Sequence, residues 1–155
     1  MQRLTTLRLV LVIVSGPEVA ALQTGTLPPR LSWGAGYSSA HLNLATQTVL
    51  DAKGVLAGIA LLVLQSEVIG HIAFHAERSN PDAVWISYGV SEPFQSQGYA
   101  SEAVPAFVDE LLTIANVVRA EVLRGRIAST KVLLRAGLTK TQQRSFGEIW
   151  ERRAK

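Results

Sequence analysis

Apolar residues are spaced along the chain in two patterns, one typical of strands and one typical of helices. Dense apolar runs of strand length predict strands over residues 4–14, 55–64, 68–76, 84–90 and 117–123. Apolar positions three and four residues apart predict helices over residues 17–23, 39–52, 98–116 and 128–136. Two more strands, over residues 138–142 and 146–152, are predicted to form a closing hairpin. Pro105 predicts a kink in the long helix, without a break.

The order of these elements predicts a mixed α/β fold in a single domain, residues 1–155. Short turns join the three strands between residues 55 and 90, so these strands are expected to pair antiparallel. The strand over residues 84–90 leads through the long helix to the strand over residues 117–123, which predicts one parallel crossover. The expected sheet is mostly antiparallel, with about four flanking helices. Where its central strands splay at the crossover, a crevice for a ligand is expected.

Composition and charge narrow the possible chemistry. The chain has no cysteine, which excludes disulfides, thiolate metal ligands and cysteine nucleophiles. Among its three histidines only His71 and His75 are spaced as a pair, so no metal site is expected. The apolar run over residues 9–14 is too short for a secretory or membrane-spanning segment, so a cytoplasmic protein is expected. The net charge of +3 is a small excess, which a nucleotide-like cofactor explains as well as nucleic acid does.

The segment after the fourth predicted strand has the pattern of a phosphate-binding turn. It leads from the strand into the first turn of the long helix and consists of Gln95, Ser96, Gln97, Gly98, Tyr99, Ala100 and Ser101. The first amide N–H groups of a helix lack intrahelical acceptors and carry partial positive charge, so a pyrophosphate fits there. Neither a lysine-containing P-loop motif nor a GxGxxG motif is present. The structural alternative is an ordinary turn in which Gly98 relieves backbone strain.

Several segments, taken together and in order, resemble the GNAT superfamily of N-acetyltransferases. The similarity is to the branch that includes the ribosomal-protein N-terminal acetyltransferases. Residues 68–72 resemble the third strand of that branch, residues 86–90 its fourth strand, residues 95–103 its acyl-CoA pyrophosphate loop and residues 128–138 its last helix. The resemblance covers nearly the whole chain, and the shared order is far more specific than the loop alone.

The resemblance implies acetyl-CoA as the acetyl donor and no metal. The pantetheine arm is expected along the fourth strand, against Ser87, Tyr88 and Val90, and the pyrophosphate on residues 95–101. A backbone N–H near Val90 is expected to polarise the thioester carbonyl while a neutral amine attacks directly in a ternary complex. Arg126 replaces the asparagine usual in the family, so the pantetheine contact is not carried over and the arginine is expected to reach a phosphate.

The same resemblance implies catalytic roles, one of which has no obvious residue. Ser129 lies where this branch places a hydroxyl near the coenzyme sulfur, as an acid or as a hydrogen-bond donor to the thiolate. The alternative for Ser129 is an ordinary serine at a helix N-terminus. Trp85 stands where the family frequently has an acidic base. Replacement bases are His71, His75, Glu77 and Glu92, and none of them is assigned.

Two aromatic residues, Trp33 and Tyr37, lie in a glycine-rich loop that corresponds to the roof of the acceptor site in the family. The resemblance implies an aromatic wall for a peptide N-terminus or a small amine. The structural alternative is that both side chains pack the loop onto the sheet.

Three functions follow from these observations. The first is an acetyl-CoA-dependent N-acetyltransferase that acts on a primary amine of a protein N-terminus, a peptide or a small metabolite. The second is a non-catalytic acyl-CoA-binding module, which the departures at Trp85 and Arg126 motivate. The third is nucleic-acid binding by the basic residues late in the chain, which ranks last because no aromatic residues are interleaved with them. The oligomeric state is left open.

Overall fold

A nine-stranded sheet forms the centre of the molecule in the computed structural model, which describes residues 2–155. In chain order the strands are β1 (Gln2–Thr5), β2 (Val10–Val14), β3 (Ser32–Trp33), β4 (Ala57–Leu64), β5 (Glu67–Ala76), β6 (Ala83–Val90), β7 (Val117–Leu123), β8 (Thr139–Gln143) and β9 (Gly147–Arg153). The helices are α1 (Pro17–Gln23), α2 (Asn43–Asp51), α3 (Tyr99–Leu111) and α4 (Ile127–Arg135). Short 3₁₀ helices over Ser39–Leu42 and Glu92–Phe94 precede α2 and α3.

Pairing within the sheet follows the order β1-β2-β4-β5-β6-β7-β9-β8. Strands β6 and β7 are parallel and are connected through α3, which confirms the predicted crossover. The mixed α/β fold with four flanking helices is likewise confirmed. The sequence did not predict β3, which pairs parallel with the first residues of β5. This edge of β5 is open because β6 pairs only as far as Gly70.

Helices cover the sheet on both faces, because the central strands carry apolar side chains on both. One hydrophobic cluster joins α3 and α4 to the sheet through residues such as Phe107 and Leu133. The ring of Phe107 tilts against that of Phe74, with 5.2 Å between their centroids. The second cluster joins α1 and α2 to β2, β4 and β5 through Val19 and Val49. Helices α1 and α2 therefore cover only the β2, β4 and β5 part of their face of the sheet. On that face, β6, β7 and β9 contribute no residue to the second cluster.

Two predictions of element boundaries were wrong. The apolar run over residues 4–14 is not one strand, because β1 and β2 fold back on each other as an antiparallel hairpin. Thr6 N–H donates to the Leu9 carbonyl across the turn at 2.8 Å. The long helix ends at Leu111, earlier than the predicted residue 116. It continues through Pro105 without a break, and the kink there stays a prediction. Within residues 2–155, no helix is long and apolar enough to cross a membrane.

Candidate active site

Strands β6 and β7 separate halfway along their length. Their pairing begins at Ala83 with Val117 and ends at Ile86 with Ala120. Both strands continue beyond this point, β6 to Val90 and β7 to the end of its pairing with β9. The splay predicted from the crossover is therefore present, and residues 87–90 have an edge without a neighbouring strand.

The hydrogen-bond ladder between β5 and β6 shows which backbone groups of β6 point toward β5 and which point to the open edge. At the end of the β5–β6 pairing, Ser91 N–H donates to the Ile69 carbonyl at 2.7 Å. Successive residues of a strand point their backbone groups to opposite sides, so Gly89 also faces β5. Tyr88 and Val90 consequently direct their N–H and C=O groups into the splay. The Val90 carbonyl accepts a hydrogen bond from Gln95 Nε2 at 2.9 Å.

A cavity of about 200 Å³ fills the opening between the two strands. We call it the splay cavity, and its lining residues are Ile86, Ser87, Tyr88, Ala120, Glu121, Val122, Leu123, Arg126, Ser129 and Leu133. It therefore brings together Ser87, Tyr88, Arg126 and Ser129, four of the residues singled out from the sequence. The Tyr88 hydroxyl donates to the Ser129 carbonyl at 3.2 Å, and burial raises the pKa of Tyr88 to about 12. Tyr88 is thus a neutral hydrogen-bond donor at physiological pH.

Ser129 does not cap helix α4, which was the structural alternative for this residue. Helix α4 has Arg126 as its N-cap residue, and no side chain caps it. Ser129 lies in the first turn, is half-buried and lines the splay cavity. Within the described residues its hydroxyl makes no hydrogen bond, in contrast to that of Thr130, which donates to the Ile127 carbonyl at 2.7 Å. The Ser129 hydroxyl is available to a group in the cavity.

The loop between β6 and α3 presents a series of unbonded amides. Among the described residues, the backbone N–H groups of residues 96–101 have no acceptor in the protein, and the first α3 bond runs from Glu102 N–H to the Gly98 carbonyl at 3.0 Å. Left-handed backbone at Ser96, with φ +62°, and at Gly98, with φ +83°, gives the loop its shape. Gln97 Nε2 closes it by donating to the Pro93 carbonyl at 2.9 Å. Such a concave row of amides at a helix N-terminus binds anions.

A second cavity, of about 580 Å³, lies beside Val90. We call it the Tyr37 cavity, and its lining residues are Gly36, Tyr37, His41, Val90, Ser91, Glu92, Pro93 and Gln95. Tyr37 stacks on His41, with ring centroids 5.0 Å apart. Glu92 is exposed at its rim. The Tyr37 cavity thus places the aromatic ring of Tyr37 and the side chains of His41 and Glu92 next to the end of β6, where the Val90 N–H points into the splay.

Behind this wall, the Tyr37 hydroxyl is hydrogen-bonded to Nδ1 of the buried His71. Burial raises the pKa of Tyr37 above its usual range. Burial, with a further contribution from the nearby His41, lowers the pKa of His71 to about 4. Both members of the pair are therefore neutral near pH 7. Trp33 stands apart from the cavity lining: it packs against the cluster under α1 and α2, and its Nε1 donates to the Gly25 carbonyl at 3.2 Å.

The other replacement bases lie at the opposite end of β6. His75 and Glu77 line a separate cavity with Trp85, whose Nε1 donates to Glu77 Oε1 at 2.7 Å. Arg119 also bonds Glu77 and pairs with Glu151, so the Glu77 carboxylate is held by two donors. Burial lowers the pKa of His75, although the nearby Glu77 opposes the shift. Glu77 is thus engaged by Trp85 and Arg119 in a cavity separate from the splay cavity and the Tyr37 cavity, so it is not placed to act as the base.

These features together fit an acyl-coenzyme A. An extended pantetheine arm can hydrogen-bond the open strand edge at Tyr88 and Val90, and the unbonded amides of residues 96–101 suit a pyrophosphate. The splay cavity adds polar groups of Ser87, Tyr88, Arg126 and Ser129 beside the open edge. Across residues 2–155, no three or more histidine, aspartate or glutamate side chains are grouped to hold a metal ion.

Comparison with known families agrees with this geometry. The model of the GNAT acetyltransferase domain matches residues 8–139 of the chain. The chain therefore belongs to the GNAT acetyltransferase family, and as a member of it the protein is an N-acetyltransferase enzyme. No curated protein sequence matches it significantly.

Solved structures with the same fold include proteins of the branch identified from the sequence. RimJ of Mycobacterium smegmatis in complex with a coenzyme A disulfide has a TM-score of 0.69 at 15% identity, covering 99% of this chain and 88% of that chain. The ribosomal α-N-protein acetyltransferase RimL in complex with coenzyme A has a TM-score of 0.68 at 19% identity, covering 98% of both chains. A ribosomal-protein alanine acetyltransferase from Vibrio fischeri has a TM-score of 0.69 at 13% identity, covering 99% of this chain and 97% of that chain.

Sequence reasoning missed two residues next to these features. Arg8, which the sequence places within the first predicted strand over residues 4–14, contacts the loop of unbonded amides. His41 lines the Tyr37 cavity from the short 3₁₀ helix before α2. The contact of Arg8 with Gln97 joins segments far apart in the chain, and the cavity that His41 lines is completed by residues 90–95. A charged residue in an otherwise apolar strand was the one signal that could have drawn attention to Arg8.

Proposed function

We propose that the protein transfers the acetyl group of acetyl-CoA to a primary amine by direct attack within a ternary complex. The observation that carries the proposal is the continuity of two binding features. An open strand edge at Tyr88 and Val90 leads within a few residues into the unbonded amides of residues 96–101. An acyl donor with a peptide-like arm and a pyrophosphate matches both.

On the donor side, we assign each group to the residues that suit it. The loop from Gln95 to Ser101 holds the pyrophosphate through its amides, and the exposed guanidinium of Arg126 pairs with a phosphate oxygen. Ser87 and Tyr88 line the arm, and the Val90 N–H stabilises negative charge on the carbonyl oxygen. Ser129 donates a hydrogen bond to the departing sulfur. When bound, the co-substrate supplies the activated acetyl thioester.

On the acceptor side, we assign the amine to the Tyr37 cavity. The nitrogen lone pair forms a bond to the acetyl carbon, the bond from that carbon to sulfur breaks, and one proton leaves the nitrogen. Glu92 at the cavity rim, or water there, accepts this proton, because His71 is enclosed behind Tyr37 and Glu77 is held by Arg119. Trp33 contributes indirectly, because its ring packs beside that of Tyr37 with 6.4 Å between the centroids.

Protein N-termini are the first acceptors to test. RimL and the Vibrio fischeri protein are named for acetylation of ribosomal proteins, and they share the fold of this chain. The wide, open Tyr37 cavity also suits small amines. A purely acyl-CoA-binding role is supported less well, because Ser129 and Glu92 retain candidate acid and base groups at the site.

The test is an acetyl-transfer assay in which free thiol is measured while acetyl-CoA is incubated with a panel of amines. The panel contains peptides with free N-termini, polyamines, lysine and amino sugars. We expect thiol release with at least one class and mass spectrometric detection of the acetylated amine. With the best acceptor, Ser129→Ala should lower kcat by about a hundredfold with little change in the KM for acetyl-CoA. Ser15→Ala, in an exposed turn far from the site, is the control.

Failure to release thiol with every amine class, by a protein that binds acetyl-CoA, would overturn the catalytic proposal and favour the binding module. Equal kcat for Ser129→Ala and wild type would remove Ser129 from the mechanism.

A further inference from the structure

The β1–β2 hairpin reaches across to the loop that we assign to the pyrophosphate. We propose that Arg8, at the turn of this hairpin, is a positioning residue that holds the loop in its anion-binding conformation. This inference rests on the proposed donor site and concerns a residue that lies outside it. The residues involved are Thr6, Arg8, Gln97, Tyr99 and Glu102, and we call them the hairpin clasp.

Arg8 is fixed by contacts on three sides. Its Nε donates to Glu102 Oε1 at 2.7 Å, and its Nη1 donates to the Gln97 carbonyl at 3.0 Å. The guanidinium carbon lies 4.2 Å from the centroid of the Tyr99 ring, a cation–π distance. The backbone N–H of Arg8 donates to Glu102 Oε2 at 2.6 Å, so main chain and side chain bind the same carboxylate. The planar guanidinium bonds Glu102 and Gln97 from two different nitrogens while its carbon lies over the Tyr99 ring, a geometry that the single nitrogen of an ammonium group does not reproduce.

Glu102 anchors the clasp to α3. Its carboxylate also accepts a hydrogen bond from the Thr6 hydroxyl. Partial burial opposes ionisation, but the hydrogen bonds from Thr6 and Arg8 outweigh it and lower the pKa of Glu102. Glu102 is therefore charged at neutral pH, and its carboxylate can accept all three hydrogen bonds of the clasp. It lies in the first turn of α3, where a negative charge is also favoured by the helix dipole.

The bond to Gln97 determines where an amide points. In a trans peptide, the carbonyl of one residue and the N–H of the next point in opposite directions. The described residues contain no cis peptide. Because Arg8 holds the Gln97 carbonyl toward the hairpin, the Gly98 N–H is directed away from the hairpin. This N–H is one of the unbonded amides of residues 96–101.

Gly98 itself fits closely under the clasp. A Cβ atom at this position would lie 3.3 Å from Arg8 Nη2, and the left-handed backbone there disfavours any side chain. The hairpin and the loop thus restrain one another at the residue where α3 begins. Without Arg8, the peptide between Gln97 and Gly98 is free to rotate, and part of the anion affinity is spent on ordering it.

The experiment compares coenzyme A, dephospho-coenzyme A and pantetheine as ligands of the wild type, Arg8→Gln and Arg3→Gln, using calorimetry or competition titration. Arg3 is the matched control, because it lies in the same hairpin and its replacement removes the same charge. In the described part of the chain it makes no ion pair. We expect Arg8→Gln to weaken both pyrophosphate-containing ligands about tenfold and to leave pantetheine unchanged. Arg3→Gln should match the wild type for all three.

Arg8→Lys distinguishes positioning of the loop from a general effect of positive charge on anion binding. It also replaces Arg8→Gln in the comparison if that variant does not fold. Lysine keeps the charge, but its single nitrogen cannot take the separate places of Nε and Nη1 and also keep the contact with the Tyr99 ring, so we expect the same loss as for glutamine. Wild-type affinity in Arg8→Lys would overturn the inference, as would equal losses for all three ligands. If the wild type binds coenzyme A and Arg8→Gln binds it equally well, only the role of Arg8 fails. If the wild type binds no coenzyme A, the proposed donor site fails as well.

Discussion

The buried pair of Tyr37 and His71 shows how one polar contact shapes the Tyr37 cavity, to which we assign the acceptor. His71 lies opposite Gly89 in the β5–β6 ladder, where even an added Cβ atom would only reach ordinary contact with the imidazole ring, 3.4 Å from its Cε1. The Tyr37 hydroxyl satisfies Nδ1 of this ring. A buried hydrogen bond of this kind fixes the tyrosine ring, and with it one wall of the Tyr37 cavity.

The burial of His71 predicts a dependence of stability on pH. Its pKa is about 4 in the folded protein, against about 6.5 for an unfolded chain. The unfolded state therefore gains a proton that the folded state does not as pH falls from 6.5 to 4, and stability falls in this window. The full effect is roughly 3 kcal/mol, from 1.36 kcal/mol per pKa unit. We expect urea unfolding at pH 7.5 and pH 4.5 to show this loss in the wild type.

His71→Gln removes the titrating group and should lack that part of the pH dependence, whatever its stability at pH 7.5. His41→Gln, at an exposed histidine, should keep most of it, because burial is the larger cause of the lowered pKa of His71 and His41 the smaller. The same loss of stability with falling pH in wild type and His71→Gln would show that other groups cause it.

Individual residues also show where sequence reasoning ended. The loop of residues 95–101 could be predicted, because strand, turn and helix signals are local. Family resemblance drew attention to Ser129, and its role near the sulfur stays a prediction. Its position at the splay cavity and its lack of a capping role became clear only from the structure. The surroundings of Trp85 could not be predicted, since Glu77 and Arg119 come from other segments. Contacts of this kind depend on side-chain directions that the sequence does not encode locally.

At the scale of elements, α4 closes the splay from one side and links it to the core. Leu133 is fully buried and lines the splay cavity, whereas its neighbour Leu134 is 58% exposed. The two leucines have the same helix propensity and differ only in the face on which they lie.

This contrast gives a prediction for the energetics of α4. Leu133→Ala should lower the free energy of unfolding by about 2–5 kcal/mol, because it removes buried apolar contacts and leaves a cavity. Leu134→Ala is the matched control and should change it by about 0.5 kcal/mol or less. Chemical denaturation of both variants measures the difference. Equal effects would mean that α4 does not pack against the sheet as described.

Most elements could be predicted from apolar spacing, and two boundaries could not. The hairpin of β1 and β2 reads as one strand because its turn, near Thr6, contains no glycine or proline. The turn is stabilised instead by hydrogen bonds to Glu102 of α3. The end of α3 was placed too late because the residues after Leu111 have helical composition but form turns. At the hairpin, tertiary contacts override local preference.

At the scale of the whole molecule, the sheet separates the two surfaces that we propose for the donor and the acceptor. The α3 side supplies the helix N-terminus and its amides, and the splay gives access to the strand edge. On the opposite face, α1 and α2 pack on β2, β4 and β5, while the loop after α1 supplies Tyr37 beside Val90. Donor and acceptor therefore approach the end of β6 from different directions in the proposed reaction, so that both can be bound at once.

The most direct test of this account is amide hydrogen exchange, measured residue by residue with and without coenzyme A. We expect slower exchange on binding at Tyr88 and Val90 and across residues 96–101, because these N–H groups gain acceptors only from the ligand. Gly89, already directed toward β5, should change little and is the internal control. Protection confined to other regions, such as the His75 cavity, or no binding at all, would contradict the assignment of the splay as the acyl-CoA site.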